Sequence, residues 1–311
     1  MSNTETSSFG DLIQPFQIEG LGLRGRLVRL SDSFASVLDG HKYPPSVSAL
    51  LGETMSLTAT LSSALKFEGI FTLQTRSDGP VSILMSDITS GGDLRAYGRY
   101  DEELLSKAEQ QPGEVVPRIM GVGHLAFTVD QGEERERYQG ISELLGATLS
   151  DCAQNYFKQS EQLETAIVTV SDLSNGQPRT AALMIQRLPS HEEGSTARDD
   201  DDENWRRAVI LMSSLRKEEL LDANLKPADI LYRLYHEDGV RIYEPKPVQH
   251  VCRCSRDKVE TTLKSFPSAE IKDMSDEDGS ISVTCEFCSA EYQFEKNQID
   301  HLFQNLSDPG E

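Results

Sequence analysis

The chain has 311 residues, 37% of them hydrophobic, and carries 30 lysines and arginines against 51 aspartates and glutamates, a formal net charge of −21. That length suits one large hydrophobic core plus a smaller satellite, so two domains are expected. The charge repels phosphate backbones and anionic lipid surfaces, and no basic patch overrides it, so neither nucleic acid nor a membrane is an expected partner.

The N-terminus "MSNTETSSFGD" has no basic segment followed by an apolar one, and no run reaches the roughly 18 apolar residues of a spanning helix, so a soluble, cytoplasmic protein in a reducing compartment is expected. Residues 1 to about 15 are polar and expected to be mobile. In "LRGRLVRL", Leu23, Leu27 and Leu30 stand among Arg24, Arg26 and Arg29, which predicts a first strand with one wet face. Pro44 and Pro45 then open a helix carrying Val47, Leu50, Leu51, Met55 and Leu65 and stopping near Gly69. The stretch "IFTLQTRSDGPVSILMSD" reads as a hairpin broken at Asp78, Gly79 and Pro80. Further strands are expected in "GGDLRAYGRY", after the flexible Gly91 and Gly92, and in "GHLAFTVD".

Ile141, Leu144, Leu145, Leu149, Cys152 and Tyr156 recur at helical spacing, which predicts one helical face with Cys152 as a small buried hydrophobe on it. Strands return in "LETAIVTV" and "TAALMIQRLP". The acidic "RDDDDENW" reads as a solvated loop before a helix, with a cation site the less favoured alternative. Helices follow to about residue 238. Asp222–Lys226 is a junction, Pro227 starts the next helix, and Ile230, Leu231 and Leu234 form its apolar side. "GVRIYEPKPVQ" is a short extended piece. The expected division is a core domain over 1–221, a helical and extended linker over 222–250 and a small C-terminal domain over 251–311. The fold class is α+β, with a large sheet in the mixed first domain.

Four of the five cysteines form two tight pairs, Cys252 with Cys254 and Cys285 with Cys288, which is metal-site spacing more than disulfide-scaffold spacing. A domain of about 60 residues is marginal on apolar burial alone, and four thiolates around one Zn²⁺ would staple it in a closed shell with no open position for a substrate. His250 or His301 replacing a ligand, and iron–sulfur ligation, are less favoured alternatives. Val259, Leu263 and Phe266 predict a short helix, "SDEDGS" a turn, Ile281 and Val283 a strand delivering Cys285, and Tyr292 and Phe294 a second strand. Arg253, Arg256 and backbone N–H groups are expected to offset the −2 charge of a zinc tetrathiolate. Positive neighbours also favour thiolate, the form oxidants attack, and oxidation within each pair would release the ion and the folding energy tied to it. A zinc-dependent redox switch therefore stands beside an inert staple. No G-x-x-x-x-G-K-S/T, G-x-S-x-G or H-E-x-x-H motif is present, and His124, His191 and His236 are scattered, so no catalytic residue and no enzyme activity are expected.

Taken together, "RGRLVRL", "YPPSVSALLGE", "LKFEGIFTLQTRSDGP", "GDLRAYGR", "ERYQGI", "QSEQL", "LYHEDGVRIYEP", "CRCSR" and "CEFC" resemble the redox-regulated holdase chaperones of the heat shock protein 33 family, from about Leu21 to about Phe303. The resemblance implies a reduced, zinc-bound monomer of low activity. Oxidants then join Cys252 to Cys254 and Cys285 to Cys288, zinc leaves, and the C-terminal domain and linker unfold. The active form dimerises and holds unfolding client proteins without ATP for downstream refolding chaperones. Client contact is expected on apolar surface of the N-terminal domain and the linker, which lies over that domain at rest. The N-terminal extension, the acidic run, and Ala181 and Ala182 where many relatives have glycines depart from the family pattern.

Three rivals remain. From Val248 to Glu311 there are 6 Lys and Arg against 13 Asp and Glu, net −7, the wrong sign for a nucleic-acid-binding zinc module. A thiol–disulfide oxidoreductase would present one C-x-x-C at a helix N-terminus, whereas the second pair is expected in a hairpin. A structural zinc domain on an interaction scaffold is the strongest reading without a switch.

Overall fold

The computed structural model describes residues 9–132, 135–188 and 195–304. Contacts divide the chain into two compact units, one ending at Val251 and the other beginning at Cys252.

The first unit runs β1 (Leu12–Ile18), β2 (Leu23–Leu30), α1 (Asp32–Asp39), α2 (Pro45–Ser62), β3 (Ile70–Ser77), β4 (Val81–Thr89), β5 (Asp93–Tyr100), α3 (Glu102–Glu109), β6 (Gly123–Asp130), β7 (Tyr138–Glu143), α4 (Leu149–Tyr156), β8 (Thr165–Asp172), β9 (Arg179–Arg187), α5 (Ser195–Ser213), α6 (Lys217–Leu221), α7 (Pro227–Tyr235), β10 (Val240–Ile242), β11 (Lys246–Pro247) and β12 (Gln249–His250). The large sheet expected of this region is two six-stranded sheets. One has the order β10-β1-β2-β9-β8 with β11 also on β1; the other runs β12-β5-β4-β3-β6-β7. Helix α2 touches β2, β8 and β9 of the first and β3, β4 and β5 of the second, so it lies between them. A helix in that position must be buried on every side, and from Leu50 to Ser62 all its residues but Glu53 are. Its hydroxyls meet the demand by bonding back to the preceding turn, Thr54 to the Leu50 carbonyl and Thr58 to that of Thr54, both at 2.7 Å. At Gly52 a Cβ would stand 2.4 Å from Ser171 Oγ and 2.7 Å from the Phe34 ring, so only glycine admits this approach.

Several expectations change here. Residues 12–15 belong to a strand, because Ile13, Phe16 and Ile18 are buried and β1 pairs with β2 along its length. Residues 1–8 of the expected mobile segment lie outside the described residues. β2 has no wet face. Leu23 and Leu27 enter one core, Val28 and Leu30 the other, and Arg29, 1% exposed, donates to the carbonyls of Leu225 and Glu219. α2 stops at Ser62 rather than near Gly69, as Ser62 and Ser63 turn their hydroxyls onto the carbonyls of Ala59 and Thr60. Gly92 is not a flexible hinge; its φ of +96° is a turn conformation, and a Cβ there would meet the Pro247 carbonyl at 2.5 Å.

The helical face expected from Ile141 onward begins only at Leu149. Ile141, 57% exposed, sits in β7 and Leu145, 49% exposed, in the turn after it. The reciprocal Thr148–Asp151 capping box starts α4, and Leu149, Cys152 and Tyr156 are buried as expected. The acidic run lies within α5 rather than in a loop. The run lies beyond the first turn of the helix, and Asp202 pairs with Arg187 at 2.7 Å. Ala181 and Ala182 are fully buried in β9.

Residues 222–250 are built into the first unit. Ile230, Leu231, Leu234 and Tyr235 join the second core, β10 and β11 pair with β1, and β12 lies parallel to β5.

The second unit contains α8 (Arg256–Lys264), α9 (Ser268–Met274), β13 (Ile281–Thr284), β14 (Glu291–Phe294) and α10 (Lys296–Gln304). The expected helix, turn and hairpin are present, while α9 and α10 were not anticipated. Among the described residues its core has five buried side chains, Leu263, Ile271, Ile281, Phe294 and Ile299.

Candidate metal centre

The four paired cysteines come together, and all four sulfurs lie within 4.8 Å of one another. Each pair reaches this point by a different local device. Cys252 and Cys254 lie in a segment without helix or strand, which ends at Ser255, the extended N-cap of α8 whose hydroxyl accepts from the Lys258 N–H. One intervening residue suffices to bring both sulfurs into the same cluster, with the Cys254 amide turned onto the Cys252 sulfur. The Lys258 ammonium donates to the Arg253 carbonyl at 2.7 Å and clips this segment to the helix.

Cys285 and Cys288 occupy the turn between β13 and β14. The Cys285 N–H donates to the Ala290 carbonyl and the Ser289 N–H to the Cys285 carbonyl, closing a knuckle in which Ser289 takes a φ of +57°. The knuckle turns amides inward, those of Phe287 and Cys288 toward the Cys285 sulfur and that of Ala290 toward the Cys288 sulfur. The Cys254 amide serves Cys252 in the same way.

The closest sulfur pairs are Cys252 with Cys285 at 3.7 Å and Cys254 with Cys288 at 3.5 Å. Four sulfurs bound at about 2.3 Å to a tetrahedral ion stand about 3.8 Å apart, so the cluster has the dimensions of a single-ion tetrathiolate. Its protonation equilibria also favour a cation. Burial opposes ionisation of Cys252, but the Cys254 amide and the neighbouring thiols outweigh it and bring the thiol down to about 7. Burial raises Cys285, and burial together with the surrounding sulfurs pushes Cys288 up to about 12. The cluster thus accepts one negative charge readily and resists the rest until a positive ion balances them. These residues fit zinc.

Other sequence candidates fall elsewhere. Arg256 is committed to the module's framework: its guanidinium donates to the Gln293 carbonyl and to Gln298, pairs with Glu260, and lies 4.2 Å from the Phe294 ring centre. The cluster includes neither His250 nor His301. His250 is in β12, its pKa lowered by burial, and His301 is exposed on α10. Cys152 is fully buried in the first unit, and burial raises its thiol to about 11.

The residue that sequence reading missed is Tyr292. Its hydroxyl donates to the Cys254 sulfur at 3.0 Å, and that contact raises the phenol to about 12. The strand alternation placed Tyr292 beside Phe294, but nothing in the pattern linked it to a sulfur 38 residues earlier.

Comparison with known proteins identifies the family of the chain. The family profile described as Hsp33 protein matches residues 11–295. The 33 kDa chaperonin of Caulobacter vibrioides is 37% identical over 298 residues, covering 94% of this chain and 97% of its own. The 33 kDa chaperonin of Aeromonas salmonicida is 36% identical, covering 96% of each. The crystal structure of the 33 kDa chaperonin of Thermotoga maritima superposes with a TM-score of 0.79 at 20% identity, over 96% of this chain and 99% of that one, a likeness of fold.

Proposed function

The chain belongs to the Hsp33 family, and on that premise we propose that it is a redox-regulated, ATP-independent holdase that binds unfolding proteins under oxidative and heat stress. One observation carries the switch: four cysteine sulfurs with single-ion geometry sit in a unit whose core, among the described residues, is small. Bound zinc would hold the four as thiolates and supply the cross-link that a unit of this size lacks. Peroxide or hypochlorous acid oxidises Cys252 with Cys254 and Cys285 with Cys288, removing all four ligands. The small unit then unfolds, while the body of the first unit ahead of residue 222 persists on its two larger cores.

In this reading the segment 222–250 is the second element to move. It buries Ile230, Leu231, Leu234 and Tyr235 and exposes Tyr232 and Tyr243. Its release would uncover contiguous apolar surface on itself and on the first unit, the kind of surface that captures non-native chains. The active form is a homodimer that passes clients to ATP-dependent refolding chaperones, and the reduced form is a monomer. The cytoplasm is the compartment in which the four cysteines start reduced; among the described residues, no helix is long and apolar enough to cross a membrane.

The test follows zinc content and free thiols before and after peroxide at elevated temperature, and in the same samples light scattering from a thermally unfolding client without ATP. The expected result is one zinc lost, four thiols lost and aggregation suppressed. Retained zinc with no gain in suppression would overturn the switch, and turnover of a small disulfide substrate would favour an oxidoreductase.

A further inference from the structure

The Cys252, Cys285 and Cys288 sulfurs receive hydrogen bonds from backbone N–H groups, which truncating a side chain does not remove. Cys254 receives one from a side chain, the Tyr292 hydroxyl at 3.0 Å. Tyr292 lies on β14 opposite Val283, its ring packed against the small core, so strand register and ring packing hold the hydroxyl in place. A hydroxyl bonded to a thiolate withdraws charge from the lone pair that an oxidant must attack, and partners of this kind also support metal retention.

We propose that Tyr292 is a positioning residue that sets the oxidant threshold of the cluster by restraining Cys254. The proposal rests on the switch described above. In the step concerned, the Cys254 thiolate attacks peroxide, an S–O bond forms as the O–O bond breaks, and the departing hydroxide takes up a proton to become water. The sulfenic acid then condenses with the Cys252 thiol, forming the S–S bond and releasing a second water. Two sulfurs are oxidised and one peroxide is reduced. Loss of the Tyr292 hydrogen bond accelerates the first of these events at Cys254 and leaves the backbone-bonded sulfurs as they are.

The experiment compares the zinc-loaded full chain with Tyr292→Phe, which keeps the ring and removes the hydroxyl. Zinc release at fixed peroxide is followed with a chromogenic chelator, zinc affinity by chelator competition, and alkylation of each cysteine by peptide mass spectrometry. We expect zinc held roughly tenfold more weakly, faster peroxide-driven release, and loss of the alkylatable Cys254 and Cys252 thiols, which disappear together as one disulfide, advanced relative to Cys285 and Cys288. Phe294→Leu, which loosens the core without touching a sulfur, should advance all four together. Site-specific 3-fluorotyrosine at position 292, a stronger hydroxyl donor of nearly the same shape, should slow release, an outcome that packing alone does not predict. Wild-type protein that releases zinc on oxidation at a rate Tyr292→Phe merely matches, or a variant that advances all four cysteines alike, overturns the role of Tyr292 alone. Wild-type protein that keeps its zinc under peroxide overturns the switch and this proposal with it.

Discussion

The two units solve the same problem by different means. Up to Val251, two sheets enclose α2 and a second core backs onto α5–α7, so stability is spread over dozens of buried side chains, and any one contributes a small fraction. From Cys252 on, among the described residues, a small cluster of buried side chains and four sulfurs do the same job, and any one of them is a large fraction. Dispersed stability resists single chemical events, whereas concentrated stability can be removed by one. The difference makes the second unit the more vulnerable of the two to a single chemical change.

The comparison is broken most severely at a sulfur. Cys288→Ser, or strong chelation of the wild type, should unfold the second unit outright, because zinc contributes on the order of 10 kcal/mol to such modules. Limited proteolysis should then cut beyond residue 252 and spare the first unit; protection of the second unit without metal would refute its metal dependence.

Matched phenylalanines sharpen it next. Phe71→Ala and Phe294→Ala each remove a buried ring, at about 3–5 kcal/mol. In the first unit this should lower the melting temperature and leave zinc affinity unchanged. In the second it should cost zinc affinity roughly 100- to 4000-fold, since each ~1.4 kcal/mol is a factor of ten. Equal effects on zinc from both would show that the units are not energetically separate.

A smaller effect is expected at Arg256, whose guanidinium covers Phe294. Arg256→Ala should cost about 1 kcal/mol, roughly a fivefold loss of zinc affinity. At Cys152 the expected effect of mild oxidant is nil. Burial raises this thiol from 9.0 to about 11, so at pH 8 it stays neutral and unreactive. The chelated chain should therefore give four fast-reacting thiols at that pH and a fifth only in denaturant. The sign of the shift places its contribution to stability intact below about 9 and lost as pH rises toward about 11.

Elements with period-two alternation or a short apolar run between turn residues were legible in advance, among them β3, β4, β5, β6, β8, β9, β13 and β14. Those that failed lacked a local signal. β1 has Gln14 buried within it, with its amide donating to the carbonyls of Pro15 and Tyr243, so its alternation is masked. Ile141 and Leu145 continued a helical period by coincidence, and the Thr148–Asp151 box decided where α4 begins. Arg29 looked like a wet-face residue because the carbonyls that satisfy it lie about 190 residues away.

The sequence by itself determined the pairing of thiols, the small size of the unit that carries them, the sign of its charge and the family resemblance, since spacing, length and composition are local properties. Only the tertiary structure decided that the sulfurs of both pairs gather within 4.8 Å, that Arg256 supports the core, and that Tyr292 reaches Cys254. Those contacts join residues more than 30 positions apart, and hydrogen-bond reach of about 3 Å is settled by strand register and helix placement, which no local pattern encodes.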